Sequence, residues 1–244
     1  MDVNLIVVAV CGLFLAGIIK GATGIGYSSC ALPFLVASLG LKEAVVLVVA
    51  PAMASNIAVL CATGSLTRSL KKFWRLYMAT LPGILCGVFL LLWTGNSIPT
   101  QVLGIVICAY VTIALLRPAL ALSPEMGRAA QIPVGFSNGL LTGFTGSHVI
   151  PLMPYMLSLN LDTALFVQAV NIAVVIASAF LAAGLWLAGL MSMPDLGLSV
   201  LAIAPALLGV QLGNWARRHI PSAHFKPIVL AVLLLIGFSL AMRS

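Results

Sequence analysis

Lys20-Gly-Ala-Thr-Gly-Ile-Gly-Tyr-Ser-Ser-Cys-Ala-Leu-Pro33 is a glycine-rich interruption between two apolar runs, and a second version, Thr142-Gly-Phe-Thr-Gly-Ser-His-Val-Ile-Pro151, follows about 122 residues later. Glycine at 21, 24 and 26, and again at 143 and 146, lets the backbone unwind or approach another backbone closely. The apolar flanks put both interruptions inside a very hydrophobic chain: 62% of its 244 residues are hydrophobic and 7% are charged. Soluble domains carry roughly 25% charged residues, so this surface faces lipid. Several runs exceed the ~20 residues that cross a hydrocarbon core. Helices satisfy every backbone group in lipid, whereas a barrel needs alternating strands, and runs such as Ala44–Val49 do not alternate. The expected class is an all-α polytopic membrane protein.

The duplication extends outward from the glycines. Gly17, Gly21 and Gly24 fall on Gly139, Gly143 and Gly146, and Trp93-Thr-Gly-Asn-Ser-Ile-Pro99 falls on Trp215-Ala-Arg-Arg-His-Ile-Pro221. With small gaps, Pro33 meets Pro154 and Pro82 meets Pro205. Two membrane repeats are expected, 1–120 and 130–244, joined by a linker over 121–129. Each begins with a broken-helix hairpin, 4–40 or 131–160. Three spans follow: 43–64, 76–94 and 100–117 in the first half, and 163–186, 196–216 and 225–243 in the second. Residues 5–19 lack a basic leader and a convincing cleavage site, and are read as a retained helix.

Charge sets the relative orientation. The segment 65–75 carries Arg68, Lys71, Lys72 and Arg75, while its counterpart 187–197 has no basic residue and one acid, Asp195. The next pair reverses this: 94–99 is uncharged and 216–226 carries Arg217, Arg218 and Lys226. Basic loops lie on the cytoplasmic face, so equivalent loops of opposite bias belong on opposite faces and the repeats are expected to be inverted. Both termini would lie outside, and the linker with Arg117 and Arg128 inside. The net charge of +7 is then a topological signal and not a sign of nucleic-acid binding. The five cysteines lie in apolar stretches of the first half with no CxxC pair, which argues against a disulfide framework.

The chemistry concentrates at the hairpin turns. A helix that restarts in the membrane offers free N–H groups and the positive end of its dipole, which suits an anion. Broken helices from two inverted repeats commonly meet at a substrate site near the midplane. The other reading of the glycines is close small-xxx-small packing. All five acids fit in loops or at helix ends, so no carboxylate is forced inside. Lys20 and His148 are the ionisable residues of the turns. An intramembrane charge defaults to a functional role, although Lys20 also has the reach to snorkel to an interface. His148 is either a substrate contact or a satisfied core histidine. The candidate substrate-binding residues are Lys20, Gly21, Thr23, Gly24, Gly26, Ser28, Ser29 and Asn56 in the first half. Thr145, Gly146, Ser147, His148, Gln168 and Asn171 complete the set in the second. The amides Asn56, Gln168 and Asn171 equally suit helix–helix hydrogen bonds.

On the residues Gly17-Ile-Ile-Lys-Gly21-Ala-Thr-Gly24-Ile-Gly26 through Pro33, and Gly139-Leu-Leu-Thr-Gly143-Phe-Thr-Gly146 through Pro151 and Pro154, the chain resembles the sulfite exporter TauE/SafE family of membrane transporters. The similarity spans nearly the whole chain. Where such families carry a richer glycine run, this sequence has Gly26-Tyr-Ser-Ser29 and Gly146-Ser-His-Val149. The resemblance implies transport of sulfite, sulfonates or related small organic anions.

Function is therefore expected to be secondary transport of a small anion at a central site shared by the two hairpins. A passive channel, or an assembly or sensor subunit that transports nothing, are the alternatives. An enzyme is disfavoured: adjacent Ser147 and His148 point about 100° apart on a helix. Neither a Gly-x-Ser-x-Gly elbow nor an HExxH metal motif occurs. No cofactor, catalytic residue or metal site is expected. The expected partners are a small anionic substrate and the lipid bilayer of a plasma or inner cell membrane, with a homo-oligomer left open.

Overall fold

A computed structural model of the chain describes residues 3–23, 26–62, 66–116, 121–219 and 222–243. Every regular element among them is a helix. The first half holds α1 (Val3–Thr23), α2 (Tyr27–Leu39), α3 (Leu41–Ala62), α4 (Leu66–Trp93) and α5 (Ser97–Leu116). A short α6 (Pro124–Ala129) precedes α7 (Gln131–Thr145), α8 (Leu152–Ser158), α9 (Thr163–Leu187), α10 (Met193–Leu201), α11 (Ile203–His219) and α12 (Ser222–Ala241). Among the described residues six stretches are long and apolar enough to cross a membrane: Ile6–Thr23, Leu41–Cys61, Leu66–Trp93, Ser97–Leu116, Thr163–Leu187 and Met193–Arg217. The polytopic all-α class expected from composition is the class observed.

The two most extensive helix contacts exchange the halves. α1 packs on α11, and α7 packs on α4. Glycines make both contacts: Gly17 and Gly21 sit against the backbone of α11 at Ala206–Val210 and Val210–Asn214, while Gly209 and Gly213 sit against Phe14 and Ile18 of α1. The same reciprocal seam joins Gly139 and Gly143 of α7 to Gly83 and Gly87 of α4. A Cβ at any of these positions would collide with carbonyl or amide atoms of the partner helix. Lipid supplies no hydrophobic drive between helices, so such backbone-to-backbone approach is how membrane helices gain contact. The register rises together in each pair, so each pair is parallel.

Two ends of the bundle are identified by their polar contacts. At one, Arg68 pairs with Asp162 at 3.0 Å and Gln131 Nε2 donates to the Lys72 carbonyl at 2.9 Å. At the other, Gly40 lies against the Asn96 side chain, and Glu43 and Asp195 share a surface pocket. α9 runs from Asp162 toward the Asp195 end, and α10–α11 run back.

Prolines and side chains explain the irregularities. Pro51 has no N–H for the Leu47 carbonyl one turn earlier, and Ser199 Oγ of α10 donates to that carbonyl at 3.0 Å. Pro205 likewise offers no N–H to Leu201, and the expected span 196–216 is divided at Ala202 into α10 and α11. The basic segment 65–75, expected as a loop, is helical from Leu66. α4 is 28 residues, roughly 42 Å of helix against a ~30 Å core, so its first two turns have room to extend beyond the hydrocarbon. It kinks at Phe73 (φ −114°, ψ 16°), beside the carbonyl that Gln131 caps. Arg217 likewise lies within α11 and not in a loop, because Lys and Arg are good helix formers that reach water from a helix end.

Candidate functional site

The chain leaves α1 at Thr23 and re-enters helix at Tyr27, with Gly26 as an extended N-cap (φ −56°, ψ 135°) that supplies no side-chain cap. Gly26 thus gives the first N–H groups of α2 no side-chain cap, and Gly26 to Ser29 line a cavity. In the second half α7 ends at Gly146 in the left-handed region (φ 74°), and non-helical backbone carries Ser147 to Ile150. Gly146 wedges against Val45 of α3 and Leu32 of α2, so the two interruptions meet. Between them is a cavity of about 250 Å³.

Lys20 is 8% exposed and lines this cavity from the last turn of α1. Its ammonium donates to Ser55 Oγ at 2.9 Å and Asn56 Oδ1 at 3.0 Å. Those groups are oriented in turn, because Ser55 Oγ and Asn56 Nδ2 both donate to the Ala52 carbonyl. Neither partner is an acid. The charge is held by dipoles alone, with one of its three donors lacking a protein acceptor among the described residues. Ser28 and Ser29 line the cavity from the first turn of α2, and Ser29 Oγ is buried with no hydrogen-bond partner among the described residues. Among the described residues no carboxylate lines the cavity, whereas Lys20 and Arg217 both do.

His148 enters from the opposite side. Thr142 Oγ1 gives its one proton to the Ser147 carbonyl at 3.0 Å, so its 3.2 Å contact with His148 Nδ1 requires the imidazole to donate there. Nε2 then faces Ser178 Oγ at 3.4 Å. The histidine is thus a satisfied core group that also lines the cavity.

Of the expected residues, Lys20, Gly21, Gly26, Ser28, Ser29, Asn56, His148 and Asn171 line one cavity. Thr23, Thr145, Gly146, Ser147 and Gln168 do not line it. Thr23 Oγ1 donates to Ile19, and Thr145 Oγ1 to Leu141. Ser147 Oγ and Gln168 Oε1 are buried without partners among the described residues. Gly24 lies outside the described residues. Gly21 borders the cavity while its open face is filled by α11, so packing accounts for it first.

Sequence reasoning missed Ser55, Tyr110, Asn214 and Arg217. Ser55 stands beside Asn56 and carries a mid-membrane hydroxyl, a signal that was there to read. Tyr110 and Asn214 reach the cavity only because α5 and α11 fold over it. Arg217 looked like one more cytoplasmic charge. It is exposed at the mouth, on the part of α11 farthest from the Glu43–Asp195 end.

A model of the sulfite exporter TauE/SafE family matches residues 9–240 of the 244. The chain belongs to that family. It is a membrane transporter and not an enzyme, as TauE/SafE members are. No curated protein and no solved structure matches it. The TauE/SafE match embraces both interruptions and every cavity-lining residue named above.

Proposed function

We propose that this TauE/SafE transporter carries sulfite or a small organosulfonate, binding it at the cavity between the two broken helices and exposing it alternately to the two faces. The observation that carries the reading is the convergence of Lys20, the glycine-capped start of α2 and the Ser29 hydroxyl, unpartnered among the described residues, on one cavity that no described carboxylate lines. Each of these groups donates hydrogen bonds, and together they match the oxygens of an oxyanion. Lys20, Ser28, Ser29, Asn56, His148 and Asn171 form the binding set, and Arg217 draws the anion into the mouth.

Alternating access rests on two inverted repeats, one over 1–120 and the other over 130–244. The exchange of partners between α1–α11 and α7–α4 supports that reading, as do segments 65–75 and 187–197 at opposite ends of the bundle. In this scheme the mouth at Arg217 opens on the basic, cytoplasmic face. Uptake of labelled sulfite into proteoliposomes, with taurine, sulfoacetate and sulfate as competitors, tests the proposal. Saturable flux with selective competition is expected. Flux that rises linearly with concentration indicates a channel, and intact protein with no flux overturns sulfite as cargo.

A further inference from the structure

Away from the transport cavity, four cations border a second pocket that the mechanism does not use. It has a volume of about 540 Å³ and lies where the kink of α4 meets α6, α7 and α8. Lys71, Lys72 and Arg75 line it from α4 and Arg128 from α6, and no described carboxylate is on its wall. Glu125 of α6 is exposed outside the lining, and Asp162 is engaged by Arg68 at 3.0 Å. Positive charge on this face is expected of any membrane protein, and here four helix-borne cations border one pocket.

Its floor is built as well as charged. Gln131 is buried, with Nε2 committed to the Lys72 carbonyl and Oε1 without a partner among the described residues. Tyr155 closes the floor, anchored by its hydroxyl to the Gly127 carbonyl at 2.7 Å. The pocket thus offers four charged donors at its rim and one unused acceptor at its base. A phosphate that also carries hydroxyl groups satisfies both.

The wall continues into an apolar stripe. Trp74 lines the pocket and is exposed, and Leu70 and Met78, one turn to either side on α4, are exposed too. Leu85 and Phe89 extend the same face along the helix. A soluble phosphate makes no use of this stripe, but an acyl chain lies along it.

We infer that the pocket binds the headgroup of an anionic phospholipid of the glycerol type, its phosphate among Lys71, Lys72, Arg75 and Arg128, a headgroup hydroxyl on Gln131 Oε1, and its acyl chains along the Trp74–Met78–Leu85 face. The kink of α4 and the start of α7 are then held from the lipid side as well as by the Gln131 bond.

The test is quenching of Trp74 fluorescence, in a protein whose Trp93, Trp186 and Trp215 are replaced by Phe, by brominated phosphatidylglycerol against brominated phosphatidylcholine. Preferential quenching by phosphatidylglycerol is expected. Each cation near an anionic headgroup contributes about fivefold, so Arg75→Gln and Arg128→Gln should each weaken the preference by about that factor. Gln131→Leu should reduce phosphatidylglycerol quenching more than quenching by brominated phosphatidic acid, which has no headgroup hydroxyls. Lys71→Gln with Lys72→Gln supplies an independent removal of charge should an arginine variant fold poorly. Equal quenching by the two lipids overturns the inference, as does a preference unchanged in all the charge variants. Full displacement by soluble glycerol phosphate also overturns it, by making the site one for a soluble anion.

Discussion

At the residue scale, Lys20 and Ser29 carry the proposed binding site. A buried hydroxyl without a partner destabilises a protein, so Ser29→Ala should leave thermal stability unchanged or raised. The same substitution should raise KM for the anion if the hydroxyl donates to it, and those opposite signs are the diagnostic. Lys20→Met keeps the length of the side chain but removes a charged donor, and such bonds contribute about 1.5–3 kcal/mol. KM should therefore rise between about tenfold and a hundredfold in the flux assay. Unchanged KM in both variants, with folded protein, would remove the pair from the site. Lys20 and the serines were legible in sequence because polar residues are rare in apolar runs. Their partners were less so. That Lys20 meets Ser55 and Asn56, and not an acid or the interface, depends on how α1 sits against α3, and no spacing within either helix encodes that. Thr145 and Ser147 fell beside the cavity because one residue of turn re-aims a side chain, and only the left-handed Gly146 fixes which way.

At the scale of elements, the glycine clusters were legible as duplicated features, but their two uses were not separable by eye. Gly26 and Gly146 belong to interruptions, whereas Gly17, Gly21, Gly139 and Gly143 belong to the seams. The decisive partners, Gly209 and Gly213 for one seam and Gly83 and Gly87 for the other, lie far along the chain. Gly87→Ala or Gly139→Ala places a methyl group on backbone that cannot rotate away, so α4 and α7 must separate. Overpacking costs about 1–3 kcal/mol where side chains can yield, and these sites should reach or exceed the top of that range. A large fall in Tm in detergent is expected, whereas Gly197→Ala, in mid-helix with open space around it, should leave Tm unchanged or raised. A second element-level test concerns α9. Its N-cap Asp162 accepts from the Leu165 N–H at 2.9 Å and pairs with Arg68, which hold its carboxyl below the usual carboxylate range. A lowered pKa in the folded state means that the stabilisation is complete above the unfolded value near ~4 and is lost as pH falls through the folded one. Asp162→Asn retains a capping oxygen without the titration, so the acid-side loss of Tm should shrink. Asp162→Ala should lower Tm at neutral pH as well.

At the scale of the molecule, hydropathy and composition were enough for the membrane class, since 7% charge leaves no water-facing surface to build a soluble domain. The relation between the halves was legible only through loop charge, and there it invites direct measurement. The bundle brings Lys72 and Gln131 together at one end, and Glu43 and Asp195 at the other. In a background lacking the five native cysteines, single cysteines at Asn96 and Asp195 should react with an impermeant maleimide added outside the cell. Cysteines at Lys72 and Arg128 should react only after permeabilisation. The absolute assignment follows from positive charge, about 1 kcal/mol per cation near an anionic cytoplasmic leaflet. A full reversal of labelling would invert the molecule while leaving the proposed inverted repeat intact, and the mouth at Arg217 would then face outward. Labelling of the Lys72 and Asp195 positions from the same side would instead break the two-fold relation, and with it the alternating exposure of a shared site. The two failures differ because orientation in the membrane is set by charges at the ends, whereas the exchange of α1–α11 for α7–α4 is set by glycine seams within the bundle.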